Sequence, residues 1–517
     1  MRKLFRATYY LGGSLLFLAI AVVGFTQTKT FRSYLHGILT DVVASELHGE
    51  LQMGRLEGNL FTALRVDSVQ LSVAGRPLLH ADRLEARYDP LSVLVNRLTF
   101  QSIKLENPRV YLVRSVDGTW NIDRLIPAAP SDSIPSTTVA DFRRIQLTNA
   151  EVVMVDSVKL AELAQTRPEG ALAVTEYPTL TLQRLNLSAS LRISPRRVEA
   201  KVEQCSAVLN EPSFALSRLS GEFALTPTDV TLKRLQIETP ASRLQIDAAL
   251  KNIDLQSLSD AEELAGKPVN LSVNGERVSF VELRQLFPSA LGFLDQEVRI
   301  SAKVSGTVGK LNVENVVLQT PQSFVHVEGT IANLHRPHDL EMDLVCLNNR
   351  VNPAEMQRYF PTVSLRDVQN LGDVAYNLRF TGTPTAFKVR FEGSSKAGAV
   401  DIDGTASIRG GELSYDATMK TYGLNVGMIV NDEALRSSLF STITLKGSGT
   451  DPLTMNAALQ AAIDSSEFYG VPLQASTVKF TLAEKTLTSN IHLRSGITNI
   501  AIAGTMHLQP NAPPRYA

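Results

Sequence analysis

The side chains that could perform chemistry are few and scattered in this sequence of 517 residues. The densest group is His335, His338 and Asp339, two imidazoles and a carboxylate within one short stretch. A zinc site needs further His or Cys ligands, and no third one is evident, so we interpret this stretch as a polar turn. The sequence contains no G-x-S-x-G, P-loop or H-E-x-x-H motif. We therefore expect no catalytic residue, no metal and no cofactor, and we do not expect an enzyme.

The remaining chemically distinctive residues have structural interpretations. Cys205 and Cys346 form no C-x-x-C motif, and we interpret both as small buried hydrophobic residues, with one long-range disulfide as the alternative. The single tryptophan, Trp120, is interpreted as a packing anchor beside a hairpin turn at Asp117-Gly118. A formal net charge of −1 gives no reason to expect nucleic acid as a partner.

The dominant pattern is a two-residue alternation of apolar and polar side chains. In residues 324–331 (FVHVEGTI), Val325, Val327 and Ile331 point to one side, and the polar residues point to the other. This is the pattern of a half-buried β-strand, because successive side chains leave opposite faces of the pleat. The pattern recurs in residues 400–408 (VDIDGTASI), 500–506 (IAIAGTM) and, more loosely, 244–250 (LQIDAAL).

Longer repeats combine such strands with short helices. Residues 239–242 (TPAS) recur 81 positions later as residues 320–323 (TPQS). Residues 279–288 and 352–361 both predict a short helix that stops at Phe-Pro, since proline cannot continue a helix. A third short helix is predicted at residues 432–437. Periodicity of this kind predicts a mainly β, elongated array of strands interrupted by a few small helices.

The apolar faces of these strands need a cover, and the sequence leaves its nature open. Phe387, Val389 and Phe391 alternate with Lys388 and Arg390, and few helices are predicted to cover so much sheet. A second sheet, a closed barrel or a curled sheet around an apolar groove would each satisfy the pattern. A filled core is the commoner outcome, whereas a groove would suit lipid, because each buried methylene contributes roughly 0.8 kcal/mol.

Alternation alone selects the residues that would line such a groove. Each is apolar and faces the same side of its strand as its apolar neighbours. The candidates are Val298, Ile300, Val304, Val325, Val327, Ile331, Phe387, Val389, Phe391, Ile402 and Ile408.

The N-terminal segment predicts a membrane anchor. Residues 1–6 carry three positive charges, and residues 7–28 are uncharged. The 22 residues of that run would reach about 33 Å as a helix, enough to cross a hydrocarbon core of roughly 30 Å. The flanking cations favour a single-pass anchor with a cytoplasmic N-terminus and an exported remainder. A cleaved signal peptide with a small-residue site at residues 19–21 is the alternative.

With the anchor, composition divides the chain into four parts. We predict an anchor at residues 1–28, an N-terminal module at 29–126, a linker at 127–140 and the strand array at 141–517. The linker is predicted because residues 127–136 are rich in turn-forming residues such as Pro, Ser and Asp, which break the strand pattern.

Five segments resemble those of AsmA-like proteins and TamB, the inner-membrane component of the bacterial translocation and assembly module. Residues 81–94 resemble the family's strand that leads into a short leucine-containing turn. Residues 100–112 and 117–125, the latter with Asp-Gly-x-Trp-Asn, resemble the family's hairpin. Residues 424–427 and 442–452 are similar to TamB repeats. The chain therefore resembles the N-terminal part of a TamB, without the C-terminal domain usual in that family.

The resemblance implies a folded-over β-sheet, open along an apolar groove, held at the bacterial inner membrane with its bulk in the periplasm. It implies phospholipids as cargo, carried between the inner and outer membranes in support of outer-membrane biogenesis. It also implies an outer-membrane β-barrel partner of the TamA or BamA type. The alternative function is a non-enzymatic scaffold for the assembly of outer-membrane barrels or autotransporters, which would lend them a strand edge.

Overall fold

The structure is a computed structural model, and it describes a defined part of the chain. The described residues are 28, 33, 37, 48–59, 63–89, 92, 97–125, 139–165, 176–253, 264–287, 296–334, 336, 339–359, 366–508 and 515–516. The predicted anchor therefore lies outside the described residues except for Thr28, and so does the predicted linker except for residues 139–140. His335 and His338 also lie outside. Among the described helices, none has the length and apolar character needed to cross a membrane.

The described chain is mainly β, as the alternation predicts, and contains a few short helices. Its first strands are β1 (Glu50–Met53), β2 (Leu56–Asn59), β3 (Ala63–Val73), β4 (Arg76–Asp89), β5 (Arg97–Glu106), β6 (Arg109–Arg114), β7 (Val139–Asp156), β8 (Thr179–Ser194), β9 (Arg197–Leu209), β10 (Phe214–Leu225), β11 (Val230–Glu238), β12 (Arg243–Leu250), β13 (Pro268–Ser279) and β14 (Glu297–Thr307).

The later strands are β15 (Lys310–Gln319), β16 (Phe324–Ala332), β17 (Glu341–Val351), β18 (Val374–Thr383), β19 (Ala386–Ser395), β20 (Gly398–Arg409), β21 (Glu412–Leu424), β22 (Ser437–Ser448), β23 (Asn456–Ile463), β24 (Ser466–Phe468), β25 (Val471–Leu473), β26 (Ser476–Ala483), β27 (Thr486–Ser495), β28 (Thr498–His507) and β29 (Arg515–Tyr516). Among the described residues, the α-helices whose two ends are both defined are α1 (Ser157–Gln165), α2 (Phe280–Leu286), α3 (Pro353–Tyr359) and α4 (Val426–Val430).

Most of the predicted elements are confirmed. The four alternating segments lie in β12, β16, β20 and β28, and the two helices predicted to stop at Phe-Pro are α2 and α3. The helix predicted at residues 432–437 is wrong in type. It is a 3₁₀ turn over Glu433–Leu435, which begins where the Asp432 carboxylate accepts the Ala434 N–H at 2.9 Å.

The predicted hairpin after β6 is shorter than expected. No second strand forms after Arg114 in the described residues 115–125. The backbone is joined across the turn by an isolated bridge to Trp120 and by hydrogen bonds from the Ser115 N–H to the Thr119 carbonyl and from the Asn121 N–H to the Val113 carbonyl. The Asn121 side chain takes the place of the second strand, because its Oδ1 accepts the Val113 N–H at 3.0 Å and its Nδ2 donates to the Tyr111 carbonyl at 2.6 Å. A side-chain amide thus satisfies the two backbone groups that a strand would have paired.

The chain divides into two compact units, Met1–Asp247 with Val281–Gly292, and Ala248–Phe280 with Phe293–Ala517. The first unit contains the one departure from antiparallel pairing among the described strands. Both β5 and β6 run parallel to β7, in register from Arg97 with Val139 to Arg114 with Asp156. β5 and β6 lie end to end, separated by a kink at Asn107, so the 18-residue β7 spans both.

The second unit is an antiparallel meander. Each strand from β13 to β23 pairs with the next along the chain, and β26 to β28 continue the sheet from β23. In this unit α3 and α4 follow the ends of β17 and β21, which lie at the same end of the sheet because alternate strands of a meander point the same way. We call this end the helix-bearing rim.

Bulges with left-handed residues recur in the strands of both units. In the second unit, Asn348 has φ of 55°, and its N–H donates to Asn377 Oδ1 on β18 at 2.8 Å. In the first unit, Asn149 has φ of 54°, and its N–H donates to Asn186 Oδ1 on β8 at 3.0 Å. Each bulge increases local twist, and the neighbouring amide satisfies the N–H that the ladder leaves unpaired.

Candidate functional site

One side of the second unit's sheet is apolar, and the strand register shows which residues share it. Val389 on β19 lies opposite Phe380 on β18, and Phe391 lies opposite Ile402 on β20. Residues directly opposite each other in a ladder point to the same side of a sheet. We call this side of the sheet, from β13 to β28, the apolar face.

All eleven candidate lining residues lie on the apolar face. They occupy alternate positions of β14, β16, β19 and β20, and the register connects them through β15, β17 and β18. Their exposure differs along the face. Val298, close to the helix-bearing rim, is 4% exposed, whereas Ile408 at the opposite end of β20 is 46% exposed. The other nine are partly buried.

The opposite side of the same strands is charged. Lys388 Nζ lies 3.5 Å from Asp403 Oδ1, and Lys446 Nζ lies 3.1 Å from Asp416 Oδ2. These side chains are more than half exposed, so each pair contributes little to stability, on the order of 0–1 kcal/mol. Their effect is on solubility, because they keep one side of the sheet hydrated while the other side stays apolar.

At the helix-bearing rim, α3 is fastened by a buried carboxylate. Glu355 accepts hydrogen bonds from the Thr320 hydroxyl, from the Gln322 N–H at 3.1 Å and from the Ser323 hydroxyl at 2.6 Å. Tyr359 at the end of α3 donates its hydroxyl to the Glu297 carbonyl at 2.8 Å. The helix is therefore tied both to the β15–β16 turn and to the start of β14.

The same arrangement occurs in the first unit. Glu282 accepts hydrogen bonds from the Thr239 hydroxyl, the Ala241 N–H at 2.9 Å and the Ser242 hydroxyl at 2.8 Å. We call each arrangement a glutamate clasp. The two copies explain the Thr-Pro-x-Ser repeat. Its threonine hydroxyl, its serine hydroxyl and the N–H of its third residue are the three groups that donate hydrogen bonds to the carboxylate.

The turn within each clasp is also held by its own hydrogen bonds. In the second unit the Thr320 hydroxyl accepts the Ser323 N–H at 2.9 Å, and the Thr320 N–H donates to the Ser323 carbonyl at 2.9 Å. Asn352 in turn accepts the Glu355 N–H at 3.0 Å, which caps the start of α3 and orients Glu355 toward the turn.

Further along the same rim, a β-hairpin takes the place of a helix. β24 and β25 are inserted between β23 and β26, and β24 pairs with the start of β22 through Ser437 opposite Phe468 and Ser438 opposite Glu467. Beside this hairpin the apolar face contains a cavity of about 650 Å³. Its lining includes Leu439, Ile463, Leu473, Val478, Ile491 and Leu493. We call it the hairpin cavity.

None of the eleven candidates lines the hairpin cavity, so the sequence prediction missed this part of the apolar face. The alternation that identified the other candidates is also present in β26 to β28, where Val478, Ile491 and Ile500 lie on the same side of the sheet. No alternation indicated that the hairpin contributes to the lining of the cavity, because β24 and β25 are each only three residues long.

Both cysteines are free thiols. Cys346 lies on the apolar face opposite Leu378, and burial raises the pKa of its thiol above the ordinary value. Burial likewise raises the pKa of the Tyr376 phenol on the neighbouring strand. The prediction that the cysteines are small buried residues agrees with Cys346, whereas Cys205 is only partly buried.

No group of three or more His, Cys, Asp or Glu side chains is placed to hold a metal ion among the residues that the structure describes. Comparisons with protein-family models, with curated proteins and with solved structures find no match to this chain. The geometry of the apolar face is therefore the basis for the function proposed below.

Proposed function

We propose that this protein carries phospholipids by holding their acyl chains against the apolar face of its β-sheet. The observation that carries the proposal is that the face retains exposed apolar side chains along its length. Leu318, Ile408, Leu445 and Ile502 are between 36% and 51% exposed, although each lies in the apolar row of its strand. A sheet packed against a second layer would bury such residues.

Hydrocarbon is the cargo that suits this face. A polar ligand would leave its hydrogen-bonding groups without partners against valine, isoleucine and phenylalanine side chains, at a cost of a few kcal/mol for each group. An acyl chain makes no such demand and gains roughly 0.8 kcal/mol for every methylene removed from water. Binding would depend little on headgroup, since the contacts involve the chains.

The cellular setting is proposed from the sequence. An anchor at residues 1–28, with cations before it, would hold the chain at a bacterial inner membrane with its bulk in the periplasm. From that position the apolar face would support outer-membrane biogenesis by passing phospholipids between the two membranes. The resemblance to TamB and AsmA-like proteins supports an outer-membrane β-barrel as the partner, and the protein would act without catalysis.

A transfer assay tests this function. The full chain is reconstituted in vesicles that contain a fluorescent phospholipid, and transfer to acceptor vesicles is measured. Val327→Asp and Val389→Asp should each reduce the rate at least about tenfold, because a carboxylate on the face adds more than 1.4 kcal/mol to the cost of passing an acyl chain. Both positions are partly buried, so the charge remains near water and the chain should still fold.

Thr405→Asp is the matched control for the transfer assay. Thr405 is exposed on the charged side of β20, next to Gly404, which lies opposite Val389. This variant adds the same carboxylate on the other side of the sheet and should transfer lipid at the wild-type rate. Unchanged transfer in both apolar-face variants, with circular dichroism showing a folded chain, would reject the proposed function.

A second candidate function is favoured by the edge of β28. Residues 498–503 of this strand are all exposed, and β29 pairs only with Met506 and His507, so among the described strands most of one edge of β28 has no neighbour. Such an edge can accept a partner strand, as a scaffold for barrel assembly would require. Proline substitution at whichever of Ala501 and Ile502 directs its N–H away from β27 should then impair barrel assembly more than Val389→Asp does.

A further inference from the structure

The hairpin cavity differs in chemistry from other hollows of the described surface. A hollow of about 310 Å³ in the first unit is lined by charged residues such as Asp141, Arg192 and Lys201. The hairpin cavity, at about 650 Å³, is lined by no charged or amide side chain. Its volume lies within the roughly 300–1,000 Å³ that ligand sites usually occupy.

The polar atoms of the cavity are confined to its boundary. Ser495 and Thr498 pair with each other at the turn between β27 and β28, and Ile497 within that turn is fully exposed. Tyr469, at the tip of the hairpin, is 67% exposed. The site therefore has an apolar interior and a hydroxyl-bearing mouth that opens to water, which matches a molecule with a hydrocarbon body and a polar end.

Part of the apolar lining remains in contact with water. Val471 and Ile500, which contribute to the cavity, are 49% and 48% exposed. Contact with hydrocarbon would remove this surface from water at a gain of roughly 25 cal/mol per Å². A hydrocarbon occupant thus explains both the absence of charged lining and the exposure of these two side chains.

We propose that the hairpin cavity is a binding site for an acyl chain of a phospholipid whose headgroup stays at the mouth beside Ser495 and Thr498. The inference rests on the proposed function, since it assigns the cavity to the same cargo. It adds that the apolar face contains, beside this hairpin, a discrete site for one lipid.

Quenching by a brominated lipid tests the site directly. Trp120 is the only tryptophan, so Trp120→Phe gives a background without tryptophan fluorescence. In that background, Phe468→Trp places a reporter in the cavity lining, and Phe391→Trp places a matched reporter on the apolar face outside the cavity. The full chain is mixed with phosphatidylcholine whose acyl chains carry bromine, with unbrominated phosphatidylcholine as the reference.

The proposal predicts that bromine reduces the fluorescence of Phe468→Trp by more than about half, because quenching requires contact with the chain that fills the cavity. Quenching of Phe391→Trp alone would overturn the cavity site and leave the proposed function standing. Quenching of Phe468→Trp alone would support the cavity and contradict the carrier function. Quenching of neither would contradict both.

Two further outcomes would assign the cavity to another occupant and overturn the proposal. A blue shift of Phe468→Trp that grows with protein concentration, without lipid, would show that a second copy of the chain covers the site. Quenching by a brominated free fatty acid, without quenching by the brominated phospholipid, would show a site for a free fatty acid.

Discussion

Two different covers lie on the helix-bearing rim of the second unit, and they are fastened differently. α3 is held by Glu355, which is 7% exposed, and by the Tyr359 hydroxyl. The hairpin of β24 and β25 is held to β22 by two residue pairs and by the Tyr469 N–H, which donates to the Arg436 carbonyl at 2.8 Å. Ser466 of β24, which is buried, also accepts the Phe440 N–H of β22 at 2.9 Å. The first cover is therefore tied by a buried carboxylate, and the second by backbone pairs and one hydroxyl.

The apolar face is closed near α3 and open beside the hairpin. Near α3 the polar groups are satisfied and buried, as at Ser323 and Asn349, and Val298 is nearly inaccessible. Beside the hairpin, apolar side chains surround a cavity and remain partly in water. With α3 fastened by a buried carboxylate, the face would keep its curvature near this helix. With the hairpin fastened mainly by backbone pairs, the face would admit a ligand beside the hairpin.

The largest expected effect comes from breaking the clasp on α3. Glu355→Ala would leave the buried Ser323 hydroxyl and two less buried donors, the Thr320 hydroxyl and the Gln322 N–H, without their acceptor. The expected cost is about 1–3 kcal/mol, the penalty for one unsatisfied buried group. Hydrogen–deuterium exchange should accelerate in α3 and in residues 320–323, while the hairpin keeps its wild-type protection. Unchanged exchange in α3 would contradict its fastening by Glu355.

Glu282→Ala is the matched control, because Glu282 makes the same three contacts in the first unit but is less buried. Its loss should be compensated partly by water and should accelerate local exchange less than Glu355→Ala does. Equal effects would show that burial does not set the strength of the clasp.

A smaller effect should appear in the chemistry of Cys346. Because burial raises the pKa of this thiol above its ordinary value of 9.0, less of it is thiolate at a given pH than in an exposed cysteine. Alkylation by iodoacetamide should therefore be slow, and its rate should keep rising above pH 9. Peptide mass mapping measures this rate. An alkylation rate that reaches a plateau below pH 9 would show that Cys346 is exposed to water and that this part of the face is not closed.

The smallest effect should come from the hairpin turn. Tyr469 and Gly470 both have positive φ, at 50° and 76°, and tyrosine is strained there. Tyr469→Asn should stabilise the hairpin by about 0.5 kcal/mol and slow hydrogen exchange in β24 and β25, because asparagine tolerates this conformation. Faster exchange would mean that contacts of the Tyr469 ring with the cavity outweigh the strain.

Much of the fold follows from local pattern. Alternation predicted the strands that carry Val327, Val389 and Ile402, because burial of one side of a sheet imposes a two-residue period. Proline after Phe287 predicted the end of α2 correctly. The pairing could not be predicted in the same way, since the parallel alignment of β7 with β5 and β6 depends on contacts between residues distant in sequence.

The candidate site shows the same limit. The sequence indicated which side chains share the apolar face, but not whether a second layer covers them, because a filled core and an open groove have the same alternation. The Thr-Pro-x-Ser repeat that begins at Thr239 and at Thr320 could be found in the sequence. Its hydrogen bonds to a glutamate could not be predicted, since the partner glutamates lie 43 and 35 residues away. The hairpin cavity requires tertiary packing that no short pattern encodes.

Lipid binding by the apolar face can be measured by native mass spectrometry of the full chain, purified in a mild detergent, followed by lipid extraction. If the apolar face carries acyl chains, the folded chain will retain phospholipid, and Val389→Asp will lose it while Thr405→Asp keeps it. A wild-type chain that is folded and free of lipid, even after incubation with phospholipid vesicles, would contradict the account.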